Sequence, residues 1–305
     1  MFKRNPNKIK ASVGENIFQI VAIIVITVLS ISMIYPFLNS IALAFNEGYD
    51  SLKGGIYLWP RKATFENFRV VWVNNNLMQA AFVSVFRTVL GTALHVILSI
   101  CCAFAMSKKA YPGRKIITTY LLIPTLITGG IVPYYILLRN IGLINNIWLF
   151  VLTGVYSFFN MVILRTYFEG LPQEIEEAAR IDGCGHVRML TQIIVPISLP
   201  VIATIGMYAA VAHWNDWFTG EFYMTKPDLK PLQTVLTNFL KSTSQATDSI
   251  SSMTGQSASQ QVSSTFTSES MKMAVLVIVT LPILATYPLL QKYFIKGVLI
   301  GSVKG

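Results

Sequence analysis

The chain of 305 residues is 53% hydrophobic and only 12% charged, with a formal net charge of +10 and a mean hydropathy of +0.55. Soluble domains carry about 25% charged residues, so a water-soluble globular protein is excluded and the chain belongs in a bilayer. Most of the positive excess lies in inner loops and the N-terminal tail, where it sets topology and meets anionic lipid; nucleic-acid binding is not implied.

Crossing the hydrocarbon core as a helix takes roughly 20 apolar residues. Six stretches reach or approach that length: Phe18–Leu38, Ala81–Met106, Ile116–Leu138, Ile147–Leu164, Pro196–Phe218 and Met273–Leu290. Their period is helical or uniformly apolar, which predicts an all-α membrane protein with six transmembrane helices and excludes a barrel of alternating strands. Residues 1–16 form a basic tail holding Lys3, Arg4, Lys8 and Lys10, and residues 17–45 hold the first span. No charge interrupts Asn16 to Asn46, a run longer than the roughly 7–15 apolar residues of a secretory signal, so this span is expected to be retained.

Residues 46–80 are an outer loop, and 81–294 contain the other five spans. The link "SKKAYPGRK" carries Lys108, Lys109, Arg114 and Lys115 with no acid. Together with the tail it predicts cytoplasmic N- and C-termini. Pro124 and Pro133 should kink the third span. Residues 241–270 are Ser/Thr/Gln-rich and short of apolar clusters, so they cannot bury enough surface to order themselves; a mobile outer loop and a docking surface for an external partner are both open. Residues 295–305 form the C-terminal tail. Cys101 and Cys102 are neighbours and Cys184 lies in another segment, which offers no disulfide framework.

Residues 169–196 break the apolar pattern with "EIEEAARIDGCGH". Pro172 suits a first helical turn, Glu174, Glu176 and Glu177 favour the positive end of the dipole, and Gly183 supplies a stop. Glu176 and Arg180 are spaced to pair. Ala178 and Ala179 allow another protein surface to approach the backbone. After Gly183 and Gly185 the run "HVRMLTQIIVPISLP" predicts a second helix leading through Pro196 into the fifth span. By helix signals alone this could equally be an amphipathic interfacial loop.

Glu177-Ala178-Ala179, Asp182-Gly183, Ile193 and Pro196 resemble the EAA loop of membrane subunits of binding-protein-dependent ABC importers. Cys184, Leu190 and Val195 stand where that family usually has Ala, Phe and Leu, and each change keeps a small or apolar residue. "AFAMSKKAYPGRK", "HWNDWF" and "YPLLQKYFIKGVLIGSVKG" resemble the carbohydrate-importer branch, of the MalG-like kind that works beside a second permease. "ITGGIVPYYIL" and "KPLQTVL" are most similar to its LplC/YtcP group.

The resemblance implies a type I importer permease (MetI-like) fold whose EAA helix couples to a cytoplasmic ATPase. It further implies a heterodimeric partner permease, an external solute-binding protein and oligosaccharide cargo; amino-acid or phosphonate import is the nearer alternative. The coupling residues so implied are Glu177, Ala178, Ala179, Arg180, Asp182, Gly183, Gly185 and Pro196, with Asp182 bonding the turn's backbone. Val303, Lys304 and Gly305 resemble a tail that reaches the ATPase. None of the 19 glycines is followed by Lys, so the phosphate-cradling GxxxxGK[ST] loop is missing. ATP and Mg therefore belong to a partner ATPase, and no cofactor is expected on this chain.

Within the membrane, His95 lies about 20 Å and Arg87 about 30 Å along a helix from Lys108. His95 is open to a neutral hydrogen-bonded role or to a proton relay; Arg87 is expected to snorkel to the outer surface. Trp214, Asn215, Asp216 and Trp217 combine aromatic faces with planar polar groups, the pairing that holds sugars, yet Trp at a span end is also an ordinary interfacial anchor. A partner permease could hold the sugar alone. His95, His186 and His213 fall in separate segments without HExxH, so no hydrolase constellation is offered. An ion-coupled carrier would want midplane carboxylates, and the spans contain only Asp216 near one end.

Overall fold

The computed structural model describes residues 12–74, 77–127, 129–241 and 267–302. Among these residues the regular structure is helical, with a single isolated bridge between Asn46 and Ala63. Two compact units share the chain: one holds the described residues up to Val71 and those from Thr267 to Val277, the other the rest.

In the first unit, α1 (Val13–Ala44) opens on a capping box, in which the Ser12 amide donates to the Glu15 carboxylate at 2.8 Å. At 32 residues it is about 48 Å long. Its buried residues are Ala42 and Ala44 alone, so its apolar sleeve faces outward, as lipid or another subunit requires. After it, Asn46 ties a tight fold together: its Nδ2 donates to Ser51 Oγ (3.0 Å) and its Oδ1 accepts from the Lys62 amide (2.8 Å). Asn67 Nδ2 donates to the carbonyls of Ala44 (2.9 Å) and Asn46 (2.7 Å). These bonds hold α2 (Gly48–Ser51) and the start of α3 (Glu66–Asn74) against the end of α1.

The second unit is organised by α4 (Leu77–Ser107), which packs along α8 (Phe158–Glu169) and α12 (Leu199–Asn215). Its buried stripe runs Ser84, Arg87, Gly91, His95, Ser99 and Ala103, one residue per turn. Small and polar residues inside, with Phe82, Val85, Val89 and Ile97 outside, is the pattern of a membrane bundle, where close backbone approach and interhelical hydrogen bonds hold helices together.

The third predicted span is two helices, α5 (Arg114–Leu126) and α6 (Ile131–Asn140), bent sharply against each other. The break does not fall at either proline. Pro124 is inside α5, Pro133 is in the first turn of α6 where a missing N–H is harmless, and the chain turns between them at Gly130 (φ +83°). The fourth predicted span is also divided, into α7 (Trp148–Leu152) and α8, with Ser157 capping α8. Beyond α9 (Gln173–Ile181), the expected helix through Pro196 is interrupted. α10 (His186–Met189) passes into a π-helical turn, Leu190–Ile194, and α11 (Val195–Ile197), then the axis turns by 86° at Ser198 into α12. Pro200 suits the corner: it lies in the first turn of α12, where its missing N–H costs nothing, so a break just before it is favoured over a helix running through it.

The remaining elements are α13 (Phe218–Phe222), a 3₁₀ turn at Pro227–Leu229, α14 (residues 232–241) and α15 (Ser268–Ser302). Among the described residues three helices, α1, α4 and α15, are long and apolar enough to cross a membrane, or five if each bent pair counts as one crossing.

Candidate functional site

At one end of the second unit, the structure forms α9 from the acidic segment. Pro172 is its cap rather than its first residue, and Glu174 and Glu176 lie in the first turn. The two alanines face opposite ways. Ala179, 4% exposed, packs into the core with Phe104, Met161, Leu164 and Met189, while Glu177, Ala178, Arg180 and Asp182 are exposed. Ile181 and Val187 are 86% and 77% exposed, an apolar surface that the other described residues do not cover.

Backbone alone closes the turn. Gly183 adopts φ +73°, its amide donates to the Arg180 carbonyl (3.0 Å), and the Cys184 amide donates to the Ala179 carbonyl (2.9 Å). This is a Schellman motif. Asp182 does not bond the turn as expected: among the described residues its side chain makes no hydrogen bond, because the two amides already meet the orphan carbonyls. Nor does Glu176 pair with Arg180. Its carboxylate is taken by Lys108 from the end of α4, whose ammonium also lies 4.3 Å from the Phe104 ring centre. Arg114 pairs with Glu169, which also accepts from Arg165 Nε at 3.0 Å. The basic link expected to set topology thus also grips the helices around α9. Gly185 caps α10 in an extended conformation and Pro196 is exposed within α11. Val303, Lys304 and Gly305 lie outside the described residues, as does 242–266 of the expected outer loop.

Toward the opposite end, α4, α6, α7, α8 and α12 line a half-open cavity of about 510 Å³. Arg87 does not snorkel; it is 2% exposed and turned inward. Its Nη1 donates to the Asp216 main-chain oxygen (2.8 Å), its Nη2 pairs with the Asp216 carboxylate, and the guanidinium sits 4.5 Å from the Phe150 ring centre. His95 meets two partners: its Nδ1 lies 3.0 Å from the Gly154 carbonyl oxygen and its Nε2 is 2.9 Å from Asn160 Nδ2. One acceptor and one donor are the complement of a neutral imidazole with its proton on Nδ1, which favours the hydrogen-bonded role over a relay. His213 sits so tightly between helices that a Cβ at Gly91 or Gly154 would overlap its ring.

Only part of "HWNDWF" reaches this cavity. His213, Asp216 and Phe218 line it. Trp214 turns away, donating from Nε1 to the Val279 carbonyl (3.1 Å) and lining an apolar recess with Val85, Val89 and Pro282. Trp217 packs on Phe218 and Phe222, with Lys241 over its ring, and Asn215 is exposed. The aromatic and amide groups that do line the cavity, Tyr134, Tyr156, Asn160, Tyr208 and Tyr223, were not singled out from sequence. One signal was legible: Arg87, Gly91 and His95 recur every four residues, a polar stripe on one face of an apolar helix.

The profile of the family described as "Binding-protein-dependent transport system inner membrane component" matches residues 95–300. Protein LplC of Bacillus subtilis (strain 168) is 34% identical over 272 residues, covering 89% of this chain and 90% of that protein. The polygalacturonan/rhamnogalacturonan transport system permease protein YtcP of the same organism is 32% identical over 272 residues, covering 89% of this chain and 93% of that protein. Among solved structures, a chain of a bacterial ABC transporter involved in the import of the acidic polysaccharide alginate superposes with a TM-score of 0.82 at 24% identity, over 94% of this chain and 100% of that one; it shows the fold. A family match over most of the chain, joined by relatives above 30% identity along nearly its whole length, places it: the protein belongs to the inner membrane components of binding-protein-dependent transport systems, the permease subunits of ABC importers.

Proposed function

We propose that this chain is one of two permease subunits in an importer that takes up an oligosaccharide or polysaccharide-derived sugar delivered by an external solute-binding protein. The observation that carries the reading is its similarity, over nine-tenths of its length, to a permease named for polygalacturonan and rhamnogalacturonan transport. ATP and Mg act on a separate cytoplasmic ATPase. In this reading the chain crosses the membrane six times with both termini in the cytoplasm, and each bent or divided helix pair serves as one crossing. Its outward apolar sleeve on α1 meets lipid and the partner permease.

α9 is the coupling helix. Its exposed Glu177, Ala178, Arg180 and Asp182, with Ile181 beside them, form the face presented to the ATPase, and Gly183 sets the direction in which that face points. Gly185 and Pro196 shape the return into the membrane, and Val303, Lys304 and Gly305 form a second contact with the ATPase. Co-purification of the full importer tests this. Glu177→Arg should lose ATPase retention or binding-protein-stimulated hydrolysis while the two permeases stay paired. Full retention and stimulation would return α9 to the status of a solvated loop, and absence of any sugar uptake by the wild type would overturn the cargo.

A further inference from the structure

We propose that the cavity between α4 and α12 is a sugar subsite on this subunit, and that it takes an uncharged ring rather than a uronate. The proposal rests on the carbohydrate reading above and adds to it the place and the charge class of the ligand.

Arg87 is the one Lys or Arg side chain among the described residues that line the cavity, and its charge is already met by Asp216. Both terminal nitrogens engage Asp216 and its flat face lies on Phe150, while the unpartnered Nε is buried out of reach of the cavity. Asp216 is likewise occupied, its second carboxylate oxygen accepting from the Thr219 amide at 3.1 Å. The two histidines that face the cavity do not add a cation for an acidic guest. His95 is saturated by Gly154 and Asn160, and the His213 ring is wedged against Gly91 and Gly154. A carboxylate entering here would leave water without gaining a counter-ion, or would have to break a buried ion pair to obtain one; either is unfavourable.

An uncharged polyol meets no such penalty and finds complementary groups. Tyr134 is among the lining side chains and is 37% exposed, so its phenol can donate to or accept from a sugar hydroxyl. The Asp216 carboxylate, 29% exposed, retains lone pairs for a hydroxyl donor. Tyr134 and Phe218 both stand edge-to-face to Tyr223, at 5.7 and 6.0 Å between ring centres, giving apolar faces for the C–H surface of a ring. The volume of about 510 Å³ falls within the 300–1,000 Å³ or so of small-ligand sites. Arg87 and His95 are eight residues apart on α4, about 12 Å, so the cavity runs from near the end of the span toward its middle.

The test uses the complete importer in nanodiscs, without the binding protein, and measures equilibrium binding of labelled trisaccharides in matched neutral and uronate pairs of galacto, gluco and manno configuration. Wild type should bind a neutral member at least about tenfold more tightly than its uronate. Tyr134→Phe, which removes one hydroxyl and keeps the ring, should weaken the neutral ligand about fivefold, and Asp216→Asn, by releasing Arg87, should narrow or reverse the preference. Equal or tighter uronate binding in wild type would overturn the charge assignment. Neutral binding that both variants leave unchanged would place the sugar elsewhere on the importer, refuting the subsite while the carbohydrate reading stands. Binding of no member, with no uptake of any when the binding protein is restored, would overturn both.

Discussion

Arg87 and Asp216 are 129 positions apart in the chain, yet they form one ion pair that ties the buried face of α4 to the end of α12. A buried pair contributes little over an apolar equivalent, but removing one partner strands the other. Asp216→Ala should therefore lower stability by about 3 kcal/mol, seen as a fall in thermal midpoint of the purified permease pair. The double variant Arg87→Met with Asp216→Leu should lose clearly less than the sum of the singles. Strictly additive losses would show that the pair is not coupled.

Gly91 and Gly154 face the same ring from two sides. A Cβ built on Gly91 would lie 2.5 Å from His213 Cε1, so Gly91→Ala should cost about 1–3 kcal/mol by overpacking. His213→Ala in the Gly91→Ala background should recover part of that loss. Thermal unfolding of the four species separates steric conflict from loss of a needed histidine, because only the former predicts recovery.

The two glycines of the coupling loop are not equivalent. Gly183 holds φ +73° and Gly185 holds φ −70° with nothing within 4 Å of a built Cβ. Gly183→Val should disturb the turn at a cost of about 1–3 kcal/mol and reduce ATPase coupling, whereas Gly185→Ala should couple as wild type. Equal impairment by both would mean that contact with the ATPase, not backbone conformation, makes these positions sensitive.

Lys108 and Glu176 bind the end of α4 to α9 and are each about one-fifth exposed. Such a pair is worth about 1 kcal/mol or less after solvent screening, so Lys108→Glu alone should leave the fold intact and loosen α9. Stimulated ATPase activity should drop severalfold and be restored when Glu176→Lys is added. A double variant as poor as the single would assign Lys108 a role outside this pair.

Much of this architecture is legible along the chain because it depends on neighbours. The apolar stretches, the short helix at Gln173–Ile181 and its stop at Gly183 follow from composition, dipole and the glycine's conformational freedom, all local. The departures from local expectation share a different cause. Depth alone places Arg87 at the outer surface, since nothing near it in sequence reveals a carboxylate arriving from α12. Spacing alone pairs Glu176 within its helix, because Lys108 lies 68 positions away. The prolines of the third span mark where a helix is weakened, but the fold breaks it at Gly130, between them. Trp214 and Trp217 have the chemistry of a sugar platform, yet packing turns them away from the cavity and lines it instead with Tyr134, Tyr156, Tyr208 and Tyr223. Local propensity thus determines where helices start, stop and weaken; only packing decides which face turns inward, and hence which charges meet and what the cavity can hold.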